Sequence, residues 1–433
     1  MTDPAARPQT LGALRASGYV VRPVKAEIRG NLIARLRAGE PLFPGVTGYD
    51  DTVIPQLTNA ILGNQDIIIL GERGQAKSRI VRSLINLLDE WTPTLAGTEI
   101  PESPYAPVTP AGRQRVAEHG DAAPIRWLHR SERYAEKLAT PDITIADLIG
   151  EVDPIKIAEG RYLSDELTLH YGLVPRVNRG IFAINELPDL AERIQVGLLN
   201  LLEERDVQIR GHRVRLDLDV FIVATANPED YTNRGRIITP LKDRFGSQIR
   251  THYPRDAATE MAIVRAEARA STIADVQVHW PEFMEDVVAT ISQAARASSH
   301  VNQRSGVSVR LTVANRELLG ANAVRRALRL GEREVAPRIG DLAALAPAMA
   351  GKIEIEAMEE GREGAILQSL VSAAVLQVFR RRVVSERLGE VVAAFDEGLV
   401  VHGGDDVTVD RYGGMIASVP GLAHLVEGLV GAS

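Results

Sequence analysis

Asp66-Ile-Ile-Ile-Leu-Gly-Glu-Arg-Gly-Gln-Ala-Lys-Ser78 runs from an apolar stretch, Ile67 to Leu70, into a turn that holds two glycines and ends on Lys77-Ser78. The helix-like segment Arg79 to Leu88 follows. A short β-rich run, a glycine loop and a helix, in that order, make the pattern of a nucleoside triphosphate site. Backbone N–H groups from Gly71, Glu72, Arg73, Gly74, Gln75 and Ala76 can form a nest for phosphate oxygens at the helix N-terminus. Lys77 would neutralise the terminal phosphates, and the Ser78 hydroxyl can ligate Mg²⁺. One position departs from G-x-x-x-x-G-K-[ST], because Ala76 stands where the last glycine is expected. A methyl group there is easy at helical φ and ψ and strained at positive φ. Taken alone, the stretch also fits a tight strand-to-helix turn with a surface lysine.

Upstream, Val53 to Leu62 has helical spacing, preceded by the turn-rich Phe43-Pro-Gly-Val-Thr-Gly-Tyr49. Residues 1–40 form a lead-in whose Val24 to Arg37 carries apolar residues at helical intervals. Downstream, residues 89–142 form an insertion rich in Pro, Gly and charge, where only Ile125 to Leu128 and Arg130 to Leu138 suggest structure. Regular patterning resumes with a short helix over Thr144 to Ile149 and a turn and helix over Asp153 to Gly160. The apolar strand Ile181-Phe-Ala-Ile184 ends directly on Asn185-Glu186. An amphipathic helix is expected over Leu190 to Glu203, a hairpin over Val207 to Leu216, and a third buried strand over Asp219 to Ala226 that ends on Asn227-Pro228. Ile249 to Tyr253 can make the final strand. Strands alternating with helices imply a parallel sheet covered on both faces, with polar groups at its carboxyl edge. The fold class is therefore α/β: a phosphate-loop domain over 41–253, a helical domain over 254–384 and a small C-terminal extension over 385–433.

Bulk composition narrows the function. At 433 residues the chain needs two or three domains, and 45% hydrophobic with 25% charged residues is ordinary globular composition. A formal charge of −7 argues against a chain built mainly to hold nucleic acid. Zero cysteine removes thiol catalysis and thiolate metal sites and suits a reducing cytoplasm. Met1 to Gly18 lacks an apolar signal core, and the longest uncharged stretch, Ala365 to Phe379, is too short for a membrane span.

With these segments in one order, the chain resembles AAA+ ATPases, in the branch that holds the MoxR proteins and the magnesium chelatase I subunit. Asn178-Arg-Gly-Ile-Phe-Ala-Ile-Asn-Glu186 looks like that family's Walker B region. Leu202-Glu-Glu-Arg-Asp-Val207 and the following hairpin look like its pre-sensor hairpin, Ala224-Thr-Ala-Asn-Pro228 like sensor 1, and Asp243-Arg-Phe-Gly246 like its arginine-finger segment. The resemblance implies ATP and Mg²⁺ as cofactors. It implies Glu186 as the base toward the attacking water, Asn227 holding that water or the phosphate, and Arg244 as a finger inserted by a neighbouring subunit. Arg310, in Gly306-Val-Ser-Val-Arg310, resembles the sensor 2 arginine of the helical lid. A finger given in trans implies a ring, of six subunits in the family, and a partner protein, by analogy one with a von Willebrand factor A domain.

Each residue also has a plainer reading: Glu186 as a helix-end carboxylate, Arg244 as half of a structural ion pair, Arg310 as one of many helical arginines, and Asn227 as a turn cap. Asn185 is the main departure, since the family has Asp there; the amide keeps the hydrogen-bonding shape and drops the charge that holds Mg²⁺. Two functions thus compete with a ring motor that remodels a partner: a nucleotide-gated scaffold with little hydrolysis, and a chelatase-type metal-insertion motor. Arg210, His212, Arg213 and Arg215 of the hairpin could touch phosphate in a ring's pore or simply face solvent.

Overall fold

The structure, a computed structural model, describes residues 7–152, 169–203, 216–227, 236–268, 272–273, 275–303, 305–356, 361–383 and 388–430. The expected helix over 153–160, the hairpin over 207–216 with its basic residues, and Pro228 lie largely or wholly outside these. The chain divides into two compact units, residues 1–72 with 76–252, and 73–75 with 253–433.

The first unit is built on five parallel strands: β1 (Ile67–Leu70), β2 (Tyr134–Leu138), β3 (Gly180–Asn185), β4 (Val220–Ala226) and β5 (Ser247–Arg250). Their spatial order is β2-β3-β4-β1-β5. Alternation sets the two faces. Ile68, Leu70, Phe182, Ile184, Ile222 and Ala224 pack with Ile194, Leu198 and Leu201 of the amphipathic helix Glu192–Glu203. Ile67, Ile69, Ile181, Ala183, Phe221 and Val223 pack on the other face against the helices Val24–Ala38, Val53–Leu62 and Lys77–Ser83. Such two-sided burial is why these strands read as continuous apolar runs.

The lead-in belongs to this core: Val24, Ile28 and Leu32 are buried against the same sheet face. The Val24 N–H donates to both oxygens of Asp219, at 3.1 and 2.9 Å. Glu27 is buried in a bidentate pair with Arg133, at 2.7 and 2.8 Å, and Arg133 also donates from Nε to Arg179 O at 2.8 Å. Losing one partner of such a pair strands a buried charge, at about 3–5 kcal/mol.

The 89–142 segment carries more structure than its composition suggests. Trp91–Leu95 pairs antiparallel with Ile125–His129, and Pro110–His119 is a helix capped by Thr109. Pro93 is tolerated because Trp91–Leu95 has a single neighbouring strand. The following β2 joins β3, with Leu138 opposite Asn185. The segment therefore supplies the edge strand of the main sheet. Composition could not show this, because the pairing is between residues far apart in sequence.

The second unit is mainly helical, with Ala257–Glu267, Glu282–Ala297, Val309–Leu330 and Glu363–Arg382. Its all-α expectation needs one correction: Thr272–Ile273, Val276–Val278 and Glu334–Val335 form a small three-stranded sheet. Val276, Val278 and Val335 pack there on Ala323, Val324 and Ala327, and β-branched side chains favour such a pleated surface. The C-terminal segment holds three further helices, Gly389–Asp396, Val409–Ser418 and Leu422–Val430.

Candidate nucleotide site

Parallel strands present their carboxyl ends together, and here β3, β4 and β1 are neighbours. Ile184 lies opposite Ala224, and Leu70 opposite Ala226. The chain leaving β3 carries Asn185 and Glu186, that leaving β4 carries Asn227, and that leaving β1 carries the loop from Gly71. The Gly71 N–H donates to Ala226 O at 3.1 Å, fixing the start of the loop to the end of β4.

The loop closes into the helix Lys77–Ser83, anchored by buried Ile80 and Val81. Lys77 begins it and is 7% exposed. Its ammonium donates to Glu72 O at 3.0 Å and also to Gly71 O and to Asn227 Oδ1. The phosphate-loop lysine and the amide after β4 are thus in direct contact. Ser78 is exposed one residue further on.

Two backbone positions in the loop have positive φ, Gly74 at +78° and Ala76 at +55°. Ala76 has ψ 15°, so it stands in the left-handed region rather than in the helical geometry that suits a methyl group. That conformation costs an L-residue roughly 1–2 kcal/mol. Ala76→Gly removes the strain but adds unfolded-state freedom, about 0.4–1 kcal/mol, and loses the methyl's contact with the core. We expect it to shift stability by less than about 1 kcal/mol, while Ala76→Val, β-branched at positive φ, costs about 1–3 kcal/mol. Denaturant midpoints of the two variants check this.

Glu186 is also left-handed, with φ +56°. Non-glycine residues in this region gather at functional sites. Its N–H donates to Thr225 Oγ1 at 3.2 Å, and that hydroxyl donates to Asn185 Oδ1 at 3.2 Å. Thr225 is 2% exposed. It therefore sets the exit of β3 from within β4.

On the other side of Asn185, its Nδ2 donates to Glu136 Oε1 at 2.5 Å. Glu136, on β2, also receives Arg82 Nε at 2.7 Å, Arg82 Nη2 at 3.0 Å and the Tyr134 hydroxyl at 2.9 Å. Burial raises the pKa of the Glu136 carboxyl, but the hydrogen bonds from Arg82, Tyr134 and Asn185 outweigh it and hold the group below its usual range. It is a carboxylate at neutral pH. The Tyr134 hydroxyl is pushed up, first by burial and then by Glu136.

Among the residues singled out from sequence, the first unit brings together Gly71, Lys77, Asn185, Glu186 and Asn227. Arg244 ends the helix Thr239–Arg244 and donates to Pro240 O of that helix at 2.9 Å. Arg310 lies in the first turn of Val309–Leu330 in the second unit, where its N–H donates to Ser308 Oγ at 3.1 Å. Thr225, Glu136 and Arg82 were missed. Thr225 sat inside a quoted motif, whereas Glu136 gave no signal beyond the Arg130 to Leu138 segment.

The pattern of the sigma-54 interaction domain matches residues 159–244. Of curated relatives, a chloroplastic magnesium-chelatase subunit of Arabidopsis thaliana is 27% identical over 54% of this chain and 53% of its own length. A magnesium-chelatase 38 kDa subunit of Cereibacter sphaeroides is 26% identical over 51% of this chain and 62% of its own. The chain is similar to AAA+ proteins of the branch that holds the magnesium-chelatase I subunits. The chain spans about half the length of the first of those relatives. Among solved structures, a putative ATPase from Cytophaga hutchinsonii covers 83% of this chain at 16% identity and a TM-score of 0.33. Another, from a magnesium-chelatase complex, covers 75% of it at 18% identity and a TM-score of 0.38. Among the described residues no helix is long and apolar enough to cross a membrane.

Proposed function

We propose that the chain binds and hydrolyses ATP with Mg²⁺ as one subunit of a ring and uses turnover to remodel or activate a partner protein. The observation that carries this is the contact between buried Lys77, the loop carbonyls and Asn227, beside a strand that ends on Asn185, directly before Glu186. The donor set fits the cofactor: a lysine ammonium for phosphate, and hydroxyl, amide and carboxylate oxygens for a hard cation. Bound Mg–ATP would bring the reacting phosphoryl group and a divalent charge that offsets its own. Lys77 would hold the terminal phosphates, and Ser78 and Asn185 would offer their hydroxyl and amide oxygens to the cation. Glu186 takes the proton of the attacking water, and Asn227 positions that water. By the resemblance, Arg244 would serve the site of the next subunit and Arg310 would have the sensor 2 role. Six copies per ring and a partner with a von Willebrand factor A domain follow from family analogy, and a cytoplasmic location from the lack of cysteine.

Asn185 favours a second reading, a nucleotide-gated scaffold with little turnover. The magnesium-chelatase relatives support a third, a metal-insertion motor. Steady-state ATP hydrolysis with Mg²⁺, run across protein concentration beside a Lys77→Ala control, separates the first two. Turnover per subunit that rises with concentration and vanishes in the control supports the motor. Tight binding without turnover supports the scaffold.

A further inference from the structure

Asn185 sits where a cation-holding carboxylate is expected, yet a carboxylate touches it. β2 and β3 are parallel neighbours in which Glu136 lies opposite Ala183 and Leu138 opposite Asn185. Side chains two residues apart share a face, so Glu136, Ala183 and Asn185 all point to the side of the sheet that packs on the helix Lys77–Ser83. That helix returns Arg82 to Glu136. Ser78 and Arg82 are four residues apart and occupy one helix face. The Asn185 amide and the Glu136 carboxylate therefore meet on the sheet face toward the helix whose Arg82 side also carries Ser78.

The hydrogen bonding gives this cluster a direction. Nδ2 of Asn185 is committed to Glu136, and Oδ1 is turned toward Thr225. The amide cannot rotate without giving up both contacts. Arg82 is 65% exposed whereas Glu136 is 17% exposed. Water screens the guanidinium far more than the carboxylate, so the pair is weak at its Arg82 end and can open.

We propose that Glu136 supplies, from the neighbouring strand, the negative charge that Asn185 lacks, so that the Mg²⁺ of a bound nucleotide is held by a carboxylate and an amide divided between β2 and β3. This rests on the nucleotide-site reading above. Glu136 acts through the cation's water shell and through the orientation of Asn185. It is a positioning residue for the cation.

The test measures affinity for a fluorescent, non-hydrolysable ATP analogue in MgCl₂ and in EDTA, and takes the ratio. Wild type is expected to bind more tightly with Mg²⁺. Glu136→Gln should lower that Mg²⁺-dependent gain about 10–100-fold, with affinity in EDTA unchanged. Adding Asn185→Asp to Glu136→Gln should restore the gain, because the charge is returned to β3. An unchanged gain in Glu136→Gln, or no recovery in the double variant, overturns the proposal. Equal loss of affinity in MgCl₂ and EDTA also overturns it, since Glu136 would then support the fold alone. Failure of wild type to bind the analogue at all would instead bring down the nucleotide-site reading itself.

Discussion

Arg244→Ala is expected to lower ATP turnover about 10³–10⁵-fold, the range over which arginine fingers act, while nucleotide affinity stays close to wild type. The argument is one of charge and place. Arg244 closes a short helix whose last turn also carries Lys242, and its guanidinium donates to Pro240 O of that helix; the resemblance gives it the place of a finger offered to a neighbouring subunit. Mixing Arg244→Ala with Glu186→Gln should recover part of the activity. In mixed rings an intact Arg244 from one variant then faces an intact Glu186 in the other. Loss of nucleotide binding in Arg244→Ala would place the residue in its own subunit's site or in its fold, and no recovery on mixing would remove the shared-site reading.

Glu186→Gln is expected to reduce turnover about 10²–10⁴-fold, with binding retained. Gln keeps the shape of the side chain but cannot take a proton from water. The backbone around it should not move, since the N–H bond to Thr225 Oγ1 and the left-handed φ of +56° do not depend on the carboxylate. Single-turnover hydrolysis beside equilibrium binding reads both halves of the expectation. Turnover at the wild-type rate would mean that the base lies elsewhere.

Much of this site is local in sequence and was legible there. The phosphate loop follows its strand without a break, Asn185-Glu186 follows Ile184, and Asn227 follows Ala226, so strand, edge and side chain could be read from one stretch each. Ala76 was legible as a departure, but only its φ of +55° shows that the chain accepts strain at that point. Glu136 was not legible. It reaches Asn185 through strand pairing across 49 positions, and the charged Tyr134-Ala-Glu-Lys-Leu138 has none of the apolar continuity of the central strands, because β2 is an edge strand and is less deeply buried. The buried Glu27–Arg133 pair escaped for the same reason: two charged residues 106 positions apart each look like surface. In the second unit, the short strands at 272–278 and 334–335 are too brief for periodicity to register against the helices around them.

The position of β1 at the inner part of the sheet has a consequence for biosynthesis. Ile67 pairs with Val223 on one side and with Ser247 on the other. During translation, the most apolar strand of the first unit waits for some 156 residues to be added before its first neighbour exists, roughly 8–30 s at ordinary elongation rates. No local contact can shorten that delay, and topologies of this kind fold slowly. Nascent chains that stop short of residue 250 carry Ile67-Ile-Ile-Leu70 with no complete pairing available, so they should depend on chaperones and be cleared by proteases rather than persist as smaller nucleotide-binding fragments.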